Sequence, residues 1–274
     1  MGYKVAALMS NTALSDLETL RDACTIFARE AAVEIMRIYA GDHGARDKAD
    51  RSPVTDADEA AEKIIVRGLR ALTPGVIVVA EEEMAAGRVP GDVEGKAFWL
   101  VDPLDGTKEF IKKNGEFTVN IALIVDRRPV LGVMLAPVPD TLWRGGAGLP
   151  ADKSQDGGAF TPIQTRVPPP GGLTVFASRS TAIYSDLDIW FGREGLTVAE
   201  RKQAGSSLKF SLIAEGLADL YPRFGPTCEW DIAAGHAILD AAGGEIVTTD
   251  GKPLLYGKPK FLNPHFIARS KAAR

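Results

Sequence analysis

The apolar positions along the chain follow two different periods. Leu17, Leu20, Cys24, Phe27, Ala31, Ile35 and Ile38 recur at steps of three and four, one face of an amphipathic helix that starts at Ser15 or Asp16 and stops near Gly41. Thr55 predicts the cap of a second helix, with Asp58 at the capping-box position and Ala61, Ile64, Ile65 and Leu69 on the apolar side. Between them, 42–52 is a charged loop in which His43 is solvated. The pattern then changes to continuous apolar runs at 76–79, 98–101, 117–125 and 130–135, which predict buried strands; 141–144 is a further one. The residues from Lys108 to Lys113 are a candidate helix start. A Gly-, Pro-, Asp- and Ser-rich stretch covers 145–172, and its end, 166–172 (RVPPPGG), is the best linker candidate. Beyond it the pattern predicts a strand at 173–177, a short helix from Ser185 or Asp186, a helix over 208–216, a strand at 217–221 and a loop at 222–226. A helix carrying Ala233, Ala234, Ala237, Ile238, Ala241 and Ala242 ends at Gly243-Gly244, and strands follow at 245–249 and around Phe266.

This order of elements predicts an α+β fold in two closely joined parts. A flexible leader spans 1–13, an N-terminal α+β domain 14–165, and a C-terminal α/β domain 173–270. The length of 274 residues and a composition 45% hydrophobic and 25% charged suit a soluble chain with a sizeable core. A net charge of −4 gives no basic face and argues against nucleic-acid polymers, while leaving a small phosphorylated substrate open. The two cysteines, Cys24 and Cys228, make neither a disulfide framework nor a zinc site, and fit a reducing compartment. No apolar run approaches the roughly 20 residues of a membrane span, and the first ten residues lack a signal-peptide core. The expectation is a cytoplasmic protein.

The candidate chemistry sits where apolar runs end in acids. Asp102 and Asp105 follow the run 98–101 and flank Pro103 and Leu104. Two carboxylates at the mouth of a buried strand need a partner, and an all-oxygen donor set suits Mg²⁺ rather than Zn²⁺. Gly106 and Thr107 then offer backbone N–H groups to an anion at a helix start. In this reading the strand ends and the chain turns sharply at Pro103; the competing reading is that Asp-Pro-Leu-Asp-Gly is only a turn. Glu81, Glu82 and Glu83 end the run 76–79 in the same way, either as a solvated edge or with one Glu turned inward to a cation. Asp58 is either a cap or a group that positions and deprotonates a water. Asp231 is either a helix cap or a metal ligand. His236, inside its helix, is packed or exposed rather than catalytic. Lys209 opposes the dipole in the first turn of its helix, which points to a bound anion.

Together these residues are recognisable. Trp99-Leu100-Val101-Asp102-Pro103-Leu104-Asp105-Gly106-Thr107, Trp230-Asp231-Ile232-Ala233-Ala234-Gly235 and Ala80-Glu81-Glu82 resemble the signatures of the inositol monophosphatase / fructose-1,6-bisphosphatase superfamily of metal-dependent, lithium-sensitive phosphatases. Within it, 105–111 (DGTKEFI) and 114–120 (NGEFTVN), with Ser206-Ser207-Leu208-Lys209-Phe210 and 220–226 (LYPRFGP), are similar to 3'(2'),5'-bisphosphate nucleotidases of the CysQ type. The resemblance covers about 14–268. It departs at Ala80, at Cys228-Glu229, and in the loops 84–96 and 178–200.

The resemblance implies a layered αβαβα sandwich and two to three Mg²⁺ ions. Glu81, Asp102 and the Leu104 carbonyl would hold one ion, Asp102, Asp105 and Asp231 a second, with a third near Glu81. Asp58 and Thr107, with Glu81, would orient and polarise the attacking water. Gly106 and Thr107 would grip the phosphate. Ser178, Ser207, Lys209 and Arg223 are candidates for the second phosphate and the sugar, against capping and surface charge as their alternative roles. The implied reaction is hydrolysis of adenosine 3',5'-bisphosphate to AMP and phosphate, with 3'-phosphoadenylyl sulfate as a second substrate, in sulfur metabolism. The rival readings are an inositol phosphatase or fructose-1,6-bisphosphatase of the same fold, and a non-catalytic phosphate or nucleotide sensor. The resemblance leaves open a monomer or a homodimer, and a peripheral place at the cytoplasmic face of the inner membrane.

Overall fold

In the computed structural model the described residues are 16–41, 44–48, 53–177 and 184–273; the expected leader, His43 and Ser178 lie outside them. The first helix, α1, spans Leu17–Tyr39. Asp16 caps it, its Oδ1 accepting from the N–H groups of Glu18 and Thr19 at 3.1 and 3.2 Å. Its buried stripe is the one the spacing predicts: Leu20, Cys24, Ala31, Ile35 and Ile38. Two short strands, β1 (Arg46–Asp47) and β2 (Pro53–Val54), pair antiparallel. The second helix, α2 (Asp56–Leu72), starts with a complete capping box between Thr55 and Asp58.

A seven-stranded sheet follows, with strands in spatial order β3 to β9. They are β3 (Ile77–Ala80), β4 (Phe98–Asp105), β5 (Thr118–Val125), β6 (Arg128–Ala136), β7 (Thr141–Gly146), β8 (Leu149–Gln155) and β9 (Thr161–Pro162). β3 and β4 are parallel and the other pairs antiparallel. A one-turn helix, α3 (Glu81–Ala85), follows β3, and another, α4 (Thr107–Ile111), follows β4. The second sheet is five-stranded and mixed: β11 (Val198–Lys202), β10 (Leu173–Phe176), β12 (Leu220–Arg223), β14 (Phe266–Ser270) and β13 (Gly244–Thr248), in that spatial order. Its helices are α5 (Tyr184–Arg193), α6 (Leu208–Ala214) and α7 (Ala233–Ala241).

Strand alternation sorts the core into layers. Trp99, Val101, Val119, Ile121 and Leu123 pack with α1 and α2 on one face of the first sheet. Phe98, Leu100, Ala122, Ile124 and Met134 point the other way, into a cluster with Phe210 and Ile213 of α6 and Ala234 and Ile238 of α7. Tyr221, Ile246, Phe266 and Ala268 of the second sheet join that cluster from below. Val175, Leu220, Val247 and Ile267 face outward onto Leu187 and Phe191 of α5. The result is helices, sheet, helices, sheet, helix: the expected αβαβα order. The small residues of α7 allow its tight seat. A Cβ at Gly132 of β6 would run into the Ala234 carbonyl, and one at Gly235 would meet the Phe210 ring.

Three local expectations are corrected. The strand at 98–101 does not end at Pro103. It runs to Asp105, with a register shift between the rungs Asp102–Asn120 and Asp105–Thr118. The irregularity accommodates Pro103, which has no N–H to donate. The stretch 145–172 contains β8, missed because its inward residues Asp152 and Ser154 are polar. Asp152 is buried because Arg144 Nε donates to it at 2.8 Å. Pro222 and Arg223 belong to β12 rather than a loop, pairing with Ile267 and Phe266 of β14 beyond the single rung that β12 shares with β10.

Candidate active site

Four of the five predicted acids come from one end of the first sheet and its flanking helices, the fifth from the approach to α7. Asp102 is 1% exposed, and its Oδ1 accepts from the Leu104 N–H at 3.0 Å. The bulge that carries Pro103 and Leu104 sets Asp105 beside α6. Asp231 does not cap α7, which has no side-chain cap bond; its Oδ2 accepts instead from the Cys228 N–H at 2.8 Å. Glu81 opens α3, with Lys48 Nζ 2.7 Å from its Oε1 and equally close to Glu82 Oε1.

Asp58 caps α2 and also reaches Thr107. Its Oδ2 closes the capping box, accepting from the N–H and Oγ1 of Thr55 at 2.8 and 2.6 Å. Its Oδ1 accepts from the Thr107 hydroxyl at 3.1 Å, a contact between residues 49 apart in sequence. Thr107 is placed for this by Gly106, whose φ of +96° turns the chain out of β4 into α4.

The electrostatics of these acids are those of a site that wants cations. Burial pushes Asp102 well above the usual carboxylate range, and Glu81, Asp105, Asp231 and Asp58 push it further. Asp231 is likewise raised by burial, then by Asp105 and Glu81. Asp105 rises to about 6, chiefly by burial, with Lys209 pulling it back down. Burial raises Asp58 to about 6 against the bonds from Thr55. Like charges sharing a low-dielectric site relax when a divalent ion joins them, and the donors are all oxygens, as magnesium prefers. The set therefore fits such ions in chemistry. In position it is looser: among the described residues no three His, Cys, Asp or Glu side chains close on one point as a ready cage. The Lys48 ammonium, bonded to Glu81, is one cation already competing for these acids.

Asp105 and Asp231 share a cleft of about 140 Å³ with Gly106, Lys209, Tyr221 and Arg223. Lys209 Nζ donates to the carbonyls of Ala204 and Ser206 at 2.9 and 2.6 Å and lies 5.1 Å from the Tyr221 ring centroid. Arg223 Nη2 donates to the Pro226 carbonyl at 3.1 Å. Ser207 also lines the cleft but is 1% exposed, and its hydroxyl bonds Thr118 and Asn120 of β5 at 2.6 and 2.8 Å. His236 is packed inside α7, its Nδ1 2.9 Å from Tyr256 Oη. Lys48 is the residue that reading the sequence missed: in a loop of mixed charge, nothing distinguishes the one ammonium that reaches Glu81.

The sequence profile of the inositol monophosphatase family matches residues 16–273. The chain is similar to 3'(2'),5'-bisphosphate nucleotidase CysQ of Escherichia coli (strain K12), 47% identical over 242 residues that cover 87% of this chain and 95% of that protein. The protein of the same description from Salmonella typhimurium is 46% identical over 250 residues, covering 90% and 98%. Among solved structures, CysQ from Bacteroides thetaiotaomicron is 38% identical with a TM-score of 0.76, covering 93% of this chain and 98% of that one. The inositol monophosphatase from Anabaena sp. PCC 7120, 24% identical with a TM-score of 0.73 over 93% of this chain and 92% of that one, shares the fold.

Proposed function

Because the chain belongs to the inositol monophosphatase family, we propose that it is a magnesium-dependent 3'(2'),5'-bisphosphate nucleotidase, hydrolysing the 3'-phosphate of adenosine 3',5'-bisphosphate to give AMP and phosphate. 3'-Phosphoadenylyl sulfate is a second substrate of the same chemistry. The observation that carries the reading is the kinship with CysQ nucleotidases at nearly half identity. The cleft supports it, since the Lys209 ammonium and the Asp105 carboxylate are near enough to bias each other.

Members of this family are typically metal-dependent. Here Glu81, Asp102 and the Leu104 carbonyl are the donors for one Mg²⁺, and Asp102, Asp105 and Asp231 for a second, with a third ion near Glu81. Bound there, the ions supply charge neutralisation for the phosphoryl oxygens and acidify the attacking water. The protein's own part is proton handling and placement. The Thr107 hydroxyl gives its proton to the bond with Asp58, so its lone pairs are turned toward the water and accept from it. Asp58, held at its other oxygen by Thr55, cannot swing away as charge develops. The N–H groups of Gly106 and Thr107 meet the transferring phosphate. Lys209 and Arg223 bind the second phosphate. The parts 14–165 and 173–270 meet across the cleft, the second closing the site. Among the described residues no helix is long and apolar enough to cross a membrane, and a small cytoplasmic nucleotide is the substrate this reading requires.

The test is phosphate release from adenosine 3',5'-bisphosphate, inositol 1-phosphate and fructose 1,6-bisphosphate, side by side with Mg²⁺, with and without Li⁺. A strong preference for the adenosine compound, suppressed by Li⁺, is expected. An equal or faster rate on inositol 1-phosphate would overturn the substrate assignment and leave the metal chemistry standing.

A further inference from the structure

The segment 115–120 (GEFTVN) takes no part in the chemistry above, yet three of its side chains reach across to the second half of the chain. The Glu116 Oε2 accepts the Gly205 N–H at 2.8 Å. Thr118, Ser207 and Asn120 close a ring: Thr118 Oγ1 lies 2.6 Å from Ser207 Oγ, which donates to Asn120 Oδ1 at 2.8 Å, while Asn120 Nδ2 points back to Thr118 Oγ1 at 3.4 Å. All three residues are buried, so the ring is dry and its members polarise one another. Packing reinforces it. A Cβ on Gly205 would stand 2.9 Å from the Glu116 Cβ and carbonyl oxygen, and one on Gly106 would stand 2.9 Å from that oxygen and 3.2 Å from Ser206 Cβ.

What this contact holds is a strained loop with a charge on it. Ser206 has a φ of +44°, a left-handed conformation that a residue with a Cβ adopts only when its surroundings impose it. In that conformation the carbonyls of Ala204 and Ser206 both face Lys209 Nζ and fix the ammonium. The same side chain lines the cleft with Asp105 and Asp231. The loop therefore sets the separation between the anion-binding cation and the metal-binding acids.

We propose that Glu116, Thr118 and Asn120 are positioning residues that set the preference for a substrate bearing a second phosphate, by locking 204–207 so that Lys209 stands at one fixed distance from the reacting centre. The proposal rests on the reading of Lys209 as the contact for that phosphate. Selectivity is then a property of the spacing between two charges, set from the segment that leads into β5.

The test compares adenosine 3',5'-bisphosphate with adenosine 3'-phosphate, which differ only in the second phosphate, on the full chain with Mg²⁺. Glu116→Ala should raise KM for the bisphosphate about tenfold, one hydrogen bond's worth of positioning. KM for adenosine 3'-phosphate, both kcat values and the melting temperature should stay near wild type. Glu116→Gln, whose amide oxygen still accepts the Gly205 N–H, should restore the preference. In a Lys209→Met background Glu116→Ala should have no further effect, because the group it positions is gone. The proposal is overturned if both KM values rise together, if kcat and melting temperature fall with them, or if the Glu116 and Lys209 effects add. If Lys209→Met leaves the preference intact, the Lys209 assignment itself fails, and the positioning role fails with it. Thr118→Val is a second probe of the buried ring and should reproduce the KM split.

Discussion

Replacing Thr107 with valine removes one hydroxyl at nearly constant volume. Asp58 then keeps both bonds at Oδ2 and loses its protein donor at Oδ1. A hydrogen bond to a charged group contributes roughly 1.5–3 kcal/mol, and if the whole of it is felt in the transition state the rate falls about 10- to 150-fold. There is a second effect of known sign. The lost bond favoured the ionised carboxylate, so its removal raises a group already lifted to about 6 by burial. The acid limb of the rate profile should therefore move to higher pH. The capping box is untouched, so the melting temperature should fall by no more than the lost bond accounts for, about 3–12 °C. The assay is kcat for adenosine 3',5'-bisphosphate at saturating Mg²⁺ from about pH 5.5 to about pH 9, with thermal melts by circular dichroism. Thr107→Ser keeps the hydroxyl and should stay within about threefold of wild type. A folded valine variant with more than half the wild-type kcat, or serine and valine falling alike, would refute the reasoning.

Asp105→Asn and Asp231→Asn should each lower kcat by orders of magnitude in a protein that still folds, since each removes a buried like charge. The rise in melting temperature on adding Mg²⁺ should disappear in both, and a preserved rise would refute their assignment as ligands. Burial lowers His236 to about 3 from its ordinary 6.5, so the unfolded chain binds the extra proton between these values. Its contribution to stability is complete above about pH 6.5 and is lost as pH falls toward 3, at up to roughly 1.4 kcal/mol per pH unit. His236→Gln cannot take up that proton; the urea midpoint of wild type relative to the variant should drop between pH 7 and 5, and a constant difference would count against it. Gly132→Ala should cost about 1–3 kcal/mol by pushing α7 off β6. It should lower activity more than its melting temperature implies, because Asp231 lies just ahead of α7; parallel losses would show that the helix start does not move.

The layers were legible because each is written in a single period. The steps of three and four in α1 and the continuous apolar run of β5 leave little choice of element, and the positions of their buried faces follow. The acids were legible as a set because carboxylates at the ends of apolar runs are unusual wherever a chain folds around them. Polar groups whose partners come from distant elements were not legible. Nothing in 149–155 announces a strand until Arg144 is seen to neutralise Asp152. Nothing in 42–52 separates Lys48 from its charged neighbours until its ammonium is seen on Glu81. Nothing in Ser206-Ser207 announces the bond to Thr118 until β5 is placed behind it. In each case one residue's role is set by a partner between eight and 89 positions away, and local pattern carries no information over that distance.

The seat of α7 between the two sheets has a consequence for a chain still being made. Asp58, Glu81, Asp102 and Asp105 leave the ribosome well ahead of Asp231, which follows Asp105 by 126 residues (231 − 105). At elongation rates of about 5–20 residues per second, that is a delay of roughly 6–25 s. Until α6, α7 and the second sheet follow, Phe98, Leu100, Ile124 and Met134 lack the side chains that cover them in the folded protein. A nascent chain is therefore sticky and catalytically silent together, and the arrival of the lower layers ends both conditions.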